Sequence, residues 1–345
     1  MKPPNFSAMK INILSTLCFC LSAFSFSCGN EAGQQQAASG VTASSTPGID
    51  ELTQKILAAP NDASLYAQRG ALLYENENVD EGIADLNKAL ELDSTQAEYY
   101  HTLADMYMDY YKSGAGLTVM QRAGAAFPRR IPTLLKLAEF QWILKQHTEA
   151  LFTLERIRTI DPQNAEMFFM FGNVFKDMGK KDQAIAAYQS AVENDPGLVD
   201  SWINLAQLLA DKGSPVAGKY FDNALRVDSN NIEALHAKAY YLSNTKNDLQ
   251  GAIALYKKIN TLAPQYEEGY YNAGLLYLDM DSLGQAYRSF DLTVNIAPAY
   301  AAAYYHRGLA AEMLGNLKQA KSDYENVLRL DPEFQSAKTG LQRLK

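Results

Sequence analysis

The chain has 345 residues, 39 acidic against 31 basic side chains, and a formal net charge of −8. An acidic chain with no basic stripe lacks the means to release counterions from phosphate backbones, and it is repelled by anionic lipid, so nucleic acid and a flat anionic membrane surface are excluded as partners. All three cysteines lie within the first 28 residues, so the body carries no disulfide framework and must be held by packing.

The first segment reads MKPPNFSAMKINILSTLCFCLSAFSFSC. Lys2 and Lys10 precede an apolar run from Ile11 to Phe26, which has the length of a signal-peptide core. An uncleaved membrane helix is the alternative, although the run is short and rich in Ser and Cys for a span. Ser25-Phe26-Ser27-Cys28 resembles a bacterial lipobox, with departures at Ser25 and at the bulky Phe26. That resemblance implies a signal peptide over residues 1–27 and acylation of Cys28, with more than one acyl chain giving stable attachment to a bilayer. Removing the leader with its two lysines takes the net charge to −10. Residues 28–48 follow as a Gly-, Ala-, Ser-, Thr- and Gln-rich stretch without aromatics, the composition of a flexible tether.

From there one period governs the chain. Pro or Ser closes successive segments at Pro60, Ser94, Pro128, Pro162, Pro196, Ser229, Pro264, Pro298 and Pro332, spaced by 34 residues apart from one interval of 33 and one of 35. Within each segment an aromatic or Leu comes fourth (Tyr66, Tyr100, Leu134 and so on) and a small residue eighth (Gly70, Ala104, Ala138, Gly172). Another small residue opens the second half, from Gly82 to Ala320, and four residues later comes an apolar side chain, from Leu86 to Tyr324. Intervals of three and four set these on one face of each of two helices, and Pro breaks the chain between units. A fixed period of this size means stacked repeats.

This pattern resembles the tetratricopeptide repeat over residues 63–334. The fold so implied is all-α, a right-handed superhelical solenoid of about eight helix–turn–helix repeats with capping helices. The repeats are 63–96, 97–130, 131–164, 165–198, 199–231, 232–266, 267–300 and 301–334, between caps at 49–62 and 335–345. Repeat five is one residue short and repeat six one long, both in the turn between helices, where insertions are tolerated.

Little in the sequence points to catalysis. Gly213 to Tyr220, GSPVAGKY, matches a phosphate-binding loop except at Tyr220, but it follows a helical rather than a strand pattern. Asp279 to Gly284 half-matches a calcium loop and lacks the closing glutamate. His101, His147, His236 and His306 show no metal-ligand spacing, so no metal or other cofactor is expected, and the chain reads as a non-enzyme.

In the tetratricopeptide family the second, fifth, ninth, twelfth and thirteenth places commonly face a ligand, and the fifth, ninth and thirteenth are followed here. Carried onto this chain, they give His101, Leu135, Phe169, Ile203, His236, Tyr271 and Tyr305; then Asp105, Glu139, Asn173, Gln207 and Tyr240; then Asp109, Asp177 and Asp211. Apolar and aromatic side chains beside carboxylates suit a peptide with apolar anchors and a basic residue or two. No repeat has the fifth-place Lys of the family members that clamp chaperone C-termini. The resemblances together imply a lipid-anchored scaffold holding a protein or peptide partner in its concave groove, in a Gram-negative envelope assembly or secretion process. Gly29 after the cysteine favours the outer membrane, facing the periplasm. The alternatives are a glycan or peptidoglycan binder, with Tyr240, Tyr271 and Tyr305 stacking on sugar rings, and a stripe that only packs between neighbouring helices.

Overall fold

The computed structural model describes residues 47–345; the signal-peptide reading of 1–27, Cys28 and nearly all of the tether lie outside the described residues. Among the described residues there are 18 α-helices and no strand. A single helix, α1 (Pro47–Ala58), comes first. Four helix pairs follow: α2 (Ala63–Glu75) with α3 (Val79–Leu92), α4 (Ala97–Asp109) with α5 (Ser113–Ala126), α6 (Ile131–Ile143) with α7 (His147–Ile160), and α8 (Ala165–Asp177) with α9 (Lys181–Asn194). Four more complete the series: α10 (Val199–Asp211) with α11 (Ala217–Val227), α12 (Ile232–Asn244) with α13 (Leu249–Leu262), α14 (Glu267–Asp279) with α15 (Leu283–Ile296), and α16 (Ala301–Met313) with α17 (Leu317–Leu330). Helix α18 (Gln335–Arg343) closes the chain. The architecture is the all-α solenoid that the 34-residue period predicts. No helix among the described residues is long and apolar enough to cross a membrane.

Two local devices make the period. Between repeats, Asp93, Asp161, Asp195, Asp228 and Asp331 stand in extended conformation after a helix. Each accepts the backbone N–H two residues on with its own carboxylate, at 2.8–3.1 Å, which turns the chain into the next helix. Within repeats, each turn is closed by one residue at positive φ, which is Gly at 179, 213 and 315 but Tyr111, Lys145 or another non-glycine elsewhere.

The small places allow the two helices of a pair to touch. A Cβ at Gly70 would lie 2.9 Å from the Gly82 carbonyl oxygen, and one at Gly172 2.4 Å from the Tyr188 ring. The apolar place behind them is core throughout: Leu86, Met120, Leu154, Tyr188, Phe221, Tyr256, Phe290 and Tyr324 are each at most 2% exposed.

The seventh place takes two forms. Leu103, Leu137, Phe171 and Leu205 are buried there in repeats two to five, whereas repeats one, six and eight carry Arg69, Lys238 and Arg307, each paired with a carboxylate. Arg69 donates twice to Asp85, at 2.6 and 2.8 Å. Arg307 donates twice to Asp323, at 3.0 and 2.6 Å, and once to Asp291 at 2.6 Å. Helix α18 is held by Arg343, which donates to both oxygens of Glu312 at 3.0 and 2.9 Å, while the Tyr324 hydroxyl donates to the same carboxylate.

The stretch 213–220 joins α10 to α11 and supplies the first turn of α11, an 11-residue helix where the other second helices have 14. Gly213 serves the positive-φ turn rather than a phosphate cradle. Asp279–Gly284 is likewise a turn, with Asp281 at φ 54°.

Candidate functional site

Successive first helices touch one another: α2 with α4, α4 with α6, α6 with α8, α10 with α12 and α14 with α16. Successive second helices make no comparable contact among the described residues. The closer-packed set lies on the inside of a curve, so the first helices line the inner face. On the outer side the splayed α5 and α7 leave a cavity of about 550 Å³, walled by Gly124, Pro128, Leu137 and the exposed Phe152.

The inner face of repeats two to five is largely engaged with itself. Asp105 accepts Lys136 Nζ at 2.7 Å, from the next repeat. Asp177 accepts Trp142 Nε1 at 2.9 Å and Lys145 Nζ at 2.6 Å, and Asp211 accepts Lys181 Nζ at 3.2 Å. Asp109 accepts the Tyr74 hydroxyl, and desolvation pushes that phenol up to about 12 with the carboxylate adding to it. His101 sits 3.0 Å from Thr133 Oγ1, and burial lowers its pKa, with Lys136 and Arg130 adding to the shift. Leu135, Glu139, Phe169 and Gln207 are half-buried, Phe169 tilted on the Tyr188 ring at 6.0 Å.

Two sequence-selected groove residues are corrected outright. Ile203 is fully buried with Ala206, Phe221, Ala234 and Ala237, because α10 and α12 pack directly on one another. Asn173 is buried as well, and its amide oxygen accepts the Tyr188 hydroxyl at 2.7 Å. Neither side chain offers area to a ligand.

The inner face of repeats six to eight is built otherwise. His236 meets the edges of Tyr256 and Tyr266 at 5.5 and 6.5 Å, and its Nε2 lies 3.3 Å from Asn272 Nδ2. Tyr271 packs on Tyr300 at 4.8 Å, with its hydroxyl 3.3 Å from His306 Nδ1. His306 Nδ1–H donates to the Ala302 carbonyl at 2.8 Å. Tyr305 stands against His306, Tyr324 and Phe334. Burial lowers the pKa of both histidines and raises the Tyr271 phenol to about 12. Of the three tyrosines proposed for sugar stacking, Tyr240 alone is broadly exposed, at 49%; the other two have rings already covering them.

At the centre of this region lies Glu268, a second-place residue, which the fifth, ninth and thirteenth places followed above did not select. Its Oε1 accepts the Tyr300 hydroxyl and its Oε2 accepts Asn272 Nδ2, both at 3.3 Å. The signal was present at the second place of the repeats, where Glu98, Glu166, Asp200, Glu233 and Glu268 recur. The lysine partners were also within reach, since Asp80/Lys112, Asp105/Lys136, Asp177/Lys145 and Asp211/Lys181 stand about one repeat apart. Among the described residues no group of three or more His, Cys, Asp or Glu side chains could hold a metal ion.

Models of the tetratricopeptide repeat match residues 63–96, 169–231 and 301–334. The Homo sapiens protein O-mannosyl-transferase TMTC3 is 25% identical over 240 residues, which are 68% of this chain and 26% of that protein. The Homo sapiens protein O-mannosyl-transferase TMTC1 is 23% identical over 188 residues, covering 52% of this chain and 21% of its own length. The chain thus spans about a quarter or less of the curated relatives it matches. Among solved structures, the APC/C hetero-tetramer Cut9-Hcn1 is similar with a TM-score of 0.52 at 18% identity, over 86% of this chain and 58% of that one, a likeness of fold.

Proposed function

We propose, on the premise that this chain is a tetratricopeptide repeat protein, that it is a non-catalytic scaffold whose inner face holds an extended segment of a partner protein. The observation that carries this reading is the set of half-buried aromatic, histidine and carboxylate side chains on the first helices from α4 to α16, the helices that α4·α6, α6·α8, α10·α12 and α14·α16 contacts place on the inner side. Half-buried aromatics offer large area at little further ordering cost, the property that makes them anchors at interfaces. The transfer chemistry named for the human relatives is not carried over, because the match takes in only about a quarter of their length.

The scaffold is further read as attached to a bacterial envelope through acylated Cys28 and the 28–48 tether. What supports this is sequence alone: the apolar run, the lipobox-like ending and the low-complexity stretch after it. A tether of that kind keeps bound partners near the membrane and raises their effective concentration.

Two measurements test these readings. Crosslinking capture from intact cells compares the wild type with a Phe169→Ala, Tyr271→Ala double variant; a partner captured by the first and lost by the second is expected, and equal capture would sink the groove. Metabolic labelling with an alkyne fatty acid is expected to mark the wild type and not Cys28→Ser. Label retained by the variant removes the anchor.

A further inference from the structure

The carboxylates of the inner face divide by what they touch. Glu98, Asp105, Asp177 and Asp211 each lie in an ion pair with Arg130, Lys136, Lys145 and Lys181 respectively. Asp109, on the neutral Tyr74 hydroxyl, and Glu268 make none among the described residues; the partners of Glu268 are the neutral Tyr300 hydroxyl and Asn272 amide. A carboxylate accepts about four hydrogen bonds, so two of its positions stay open. Asn272 is itself pinned by the Glu268 carbonyl at 2.8 Å, and Tyr300 by its stacking on Tyr271 at 4.8 Å, so the carboxylate is held in one orientation. Burial lifts the Glu268 carboxyl above its ordinary range, with Glu267 adding to it, and holds His236 and His306 below the ordinary imidazole pKa. The charge therefore stands oriented, partly desolvated and without a cation.

We propose that Glu268 and Tyr300, with Tyr271 backing the Tyr300 ring, form a subsite for one arginine side chain of the segment held on the inner face. This rests on the scaffold reading above and names the chemistry its partner must bring. An arginine suits the place better than a lysine, because its planar guanidinium donates to a carboxylate while stacking on an aromatic ring. Its arrival relieves the cost of a half-buried unpaired charge, a gain that the self-paired acids of repeats two to five cannot supply. Net charge agrees, since the acidic chain draws basic segments toward it.

The test is a titration of N-acetyl-arginine amide into the full chain, followed by NMR of backbone amides and glutamate carboxyl carbons. Saturable shifts centred on Glu268 and Tyr300 are expected, with a Kd on the order of 1–10 mM. N-acetyl-citrulline amide, equal in size and uncharged, is expected not to saturate. Glu268→Gln should weaken arginine-amide binding at least about tenfold, while Glu81→Gln, an equal charge change on the second helix α3, should leave it unaltered. Tyr300→Phe, which keeps the ring and removes only the hydroxyl, should weaken it roughly threefold. Equal binding of the citrulline compound, unchanged binding by Glu268→Gln, or no saturation up to about 100 mM overturns the subsite. Partner capture through the groove without arginine-amide binding removes the subsite and leaves the scaffold; binding without any groove capture does the reverse.

Discussion

The inner face of repeats two to five and that of repeats six to eight start from the same helix pair and end with opposite electrostatics. In the first, Asp105, Asp177 and Asp211 are each closed by a lysine from a neighbouring repeat. In the second, Glu268 meets the Tyr300 hydroxyl and the Asn272 amide and has no such closure among the described residues. A carboxylate satisfied at home has little left to give a ligand, because breaking its pair returns what the new contact gains. The count of acids on a surface is therefore a poor guide to where cations bind; what decides is which acids the protein has already neutralised.

The contrast is broken most forcefully at the ion pairs themselves. Arg307→Ala strands Asp323, which is fully buried, and is expected to cost about 3–5 kcal/mol in a denaturant melt. Lys145→Ala opens a pair whose lysine is 68% exposed, and should cost no more than about 1 kcal/mol. Equal losses would mean that exposure does not set the worth of these pairs. Tyr271→Ala comes next, at about 2–4 kcal/mol, since it removes a ring packed by Phe290, Tyr300 and His306.

The pH dependence sharpens the same comparison. Burial holds the folded-state pKa of His101, His236 and His306 below the ordinary 6.5, so the unfolded chain binds more protons and stability falls as pH drops through that value. Glu268 acts in the opposite sense: its folded pKa is raised above 4.5, so the folded chain gains stability relative to the unfolded one as pH falls through the folded value toward 4.5. Thermal melts at pH 7.5 and 5.5 should show a lower Tm at 5.5. An equal or higher Tm at 5.5 would contradict the histidine assignment.

The smallest effect concerns a turn. Tyr111 stands at φ 58°, almost wholly exposed, where repeats four, five and eight place Gly. Tyr111→Gly should be neutral to about 1 kcal/mol stabilising, as relief of a left-handed conformation is set against added chain entropy. A loss beyond that range would show that the ring has a partner in the native fold.

The fold was legible because its determinants are local and periodic. The glycines and alanines that let helix pairs touch, and the residues that turn one repeat into the next, recur at fixed places. Gly70 against Gly82 and the Asp93 and Asp161 turns show why those places admit few substitutes. The binding face was legible only in outline. Place numbers put Ile203 and Asn173 in the groove, yet the packing of α10 on α12 buries the first, and the second is buried with its amide oxygen on the Tyr188 hydroxyl. They named Asp105 and Asp177 without their lysines, which come from neighbouring repeats 31 and 32 residues away. Glu268 was passed over because its importance lies in what it lacks, and a missing partner is visible only once every neighbour has been placed.

The most direct measurement is photocrosslinking in intact cells with benzoylphenylalanine placed one position at a time at Tyr240, Ile143 and Phe152. These report on the inner face of repeats six to eight, the inner face of repeat three, and the outer face between α5 and α7. The expected result is a partner adduct from position 240 that is lost on adding Tyr271→Ala, with position 152 giving none. Adducts from position 152 that survive Tyr271→Ala, with none from 240, would contradict an inner-face scaffold and move the binding surface to the outer side.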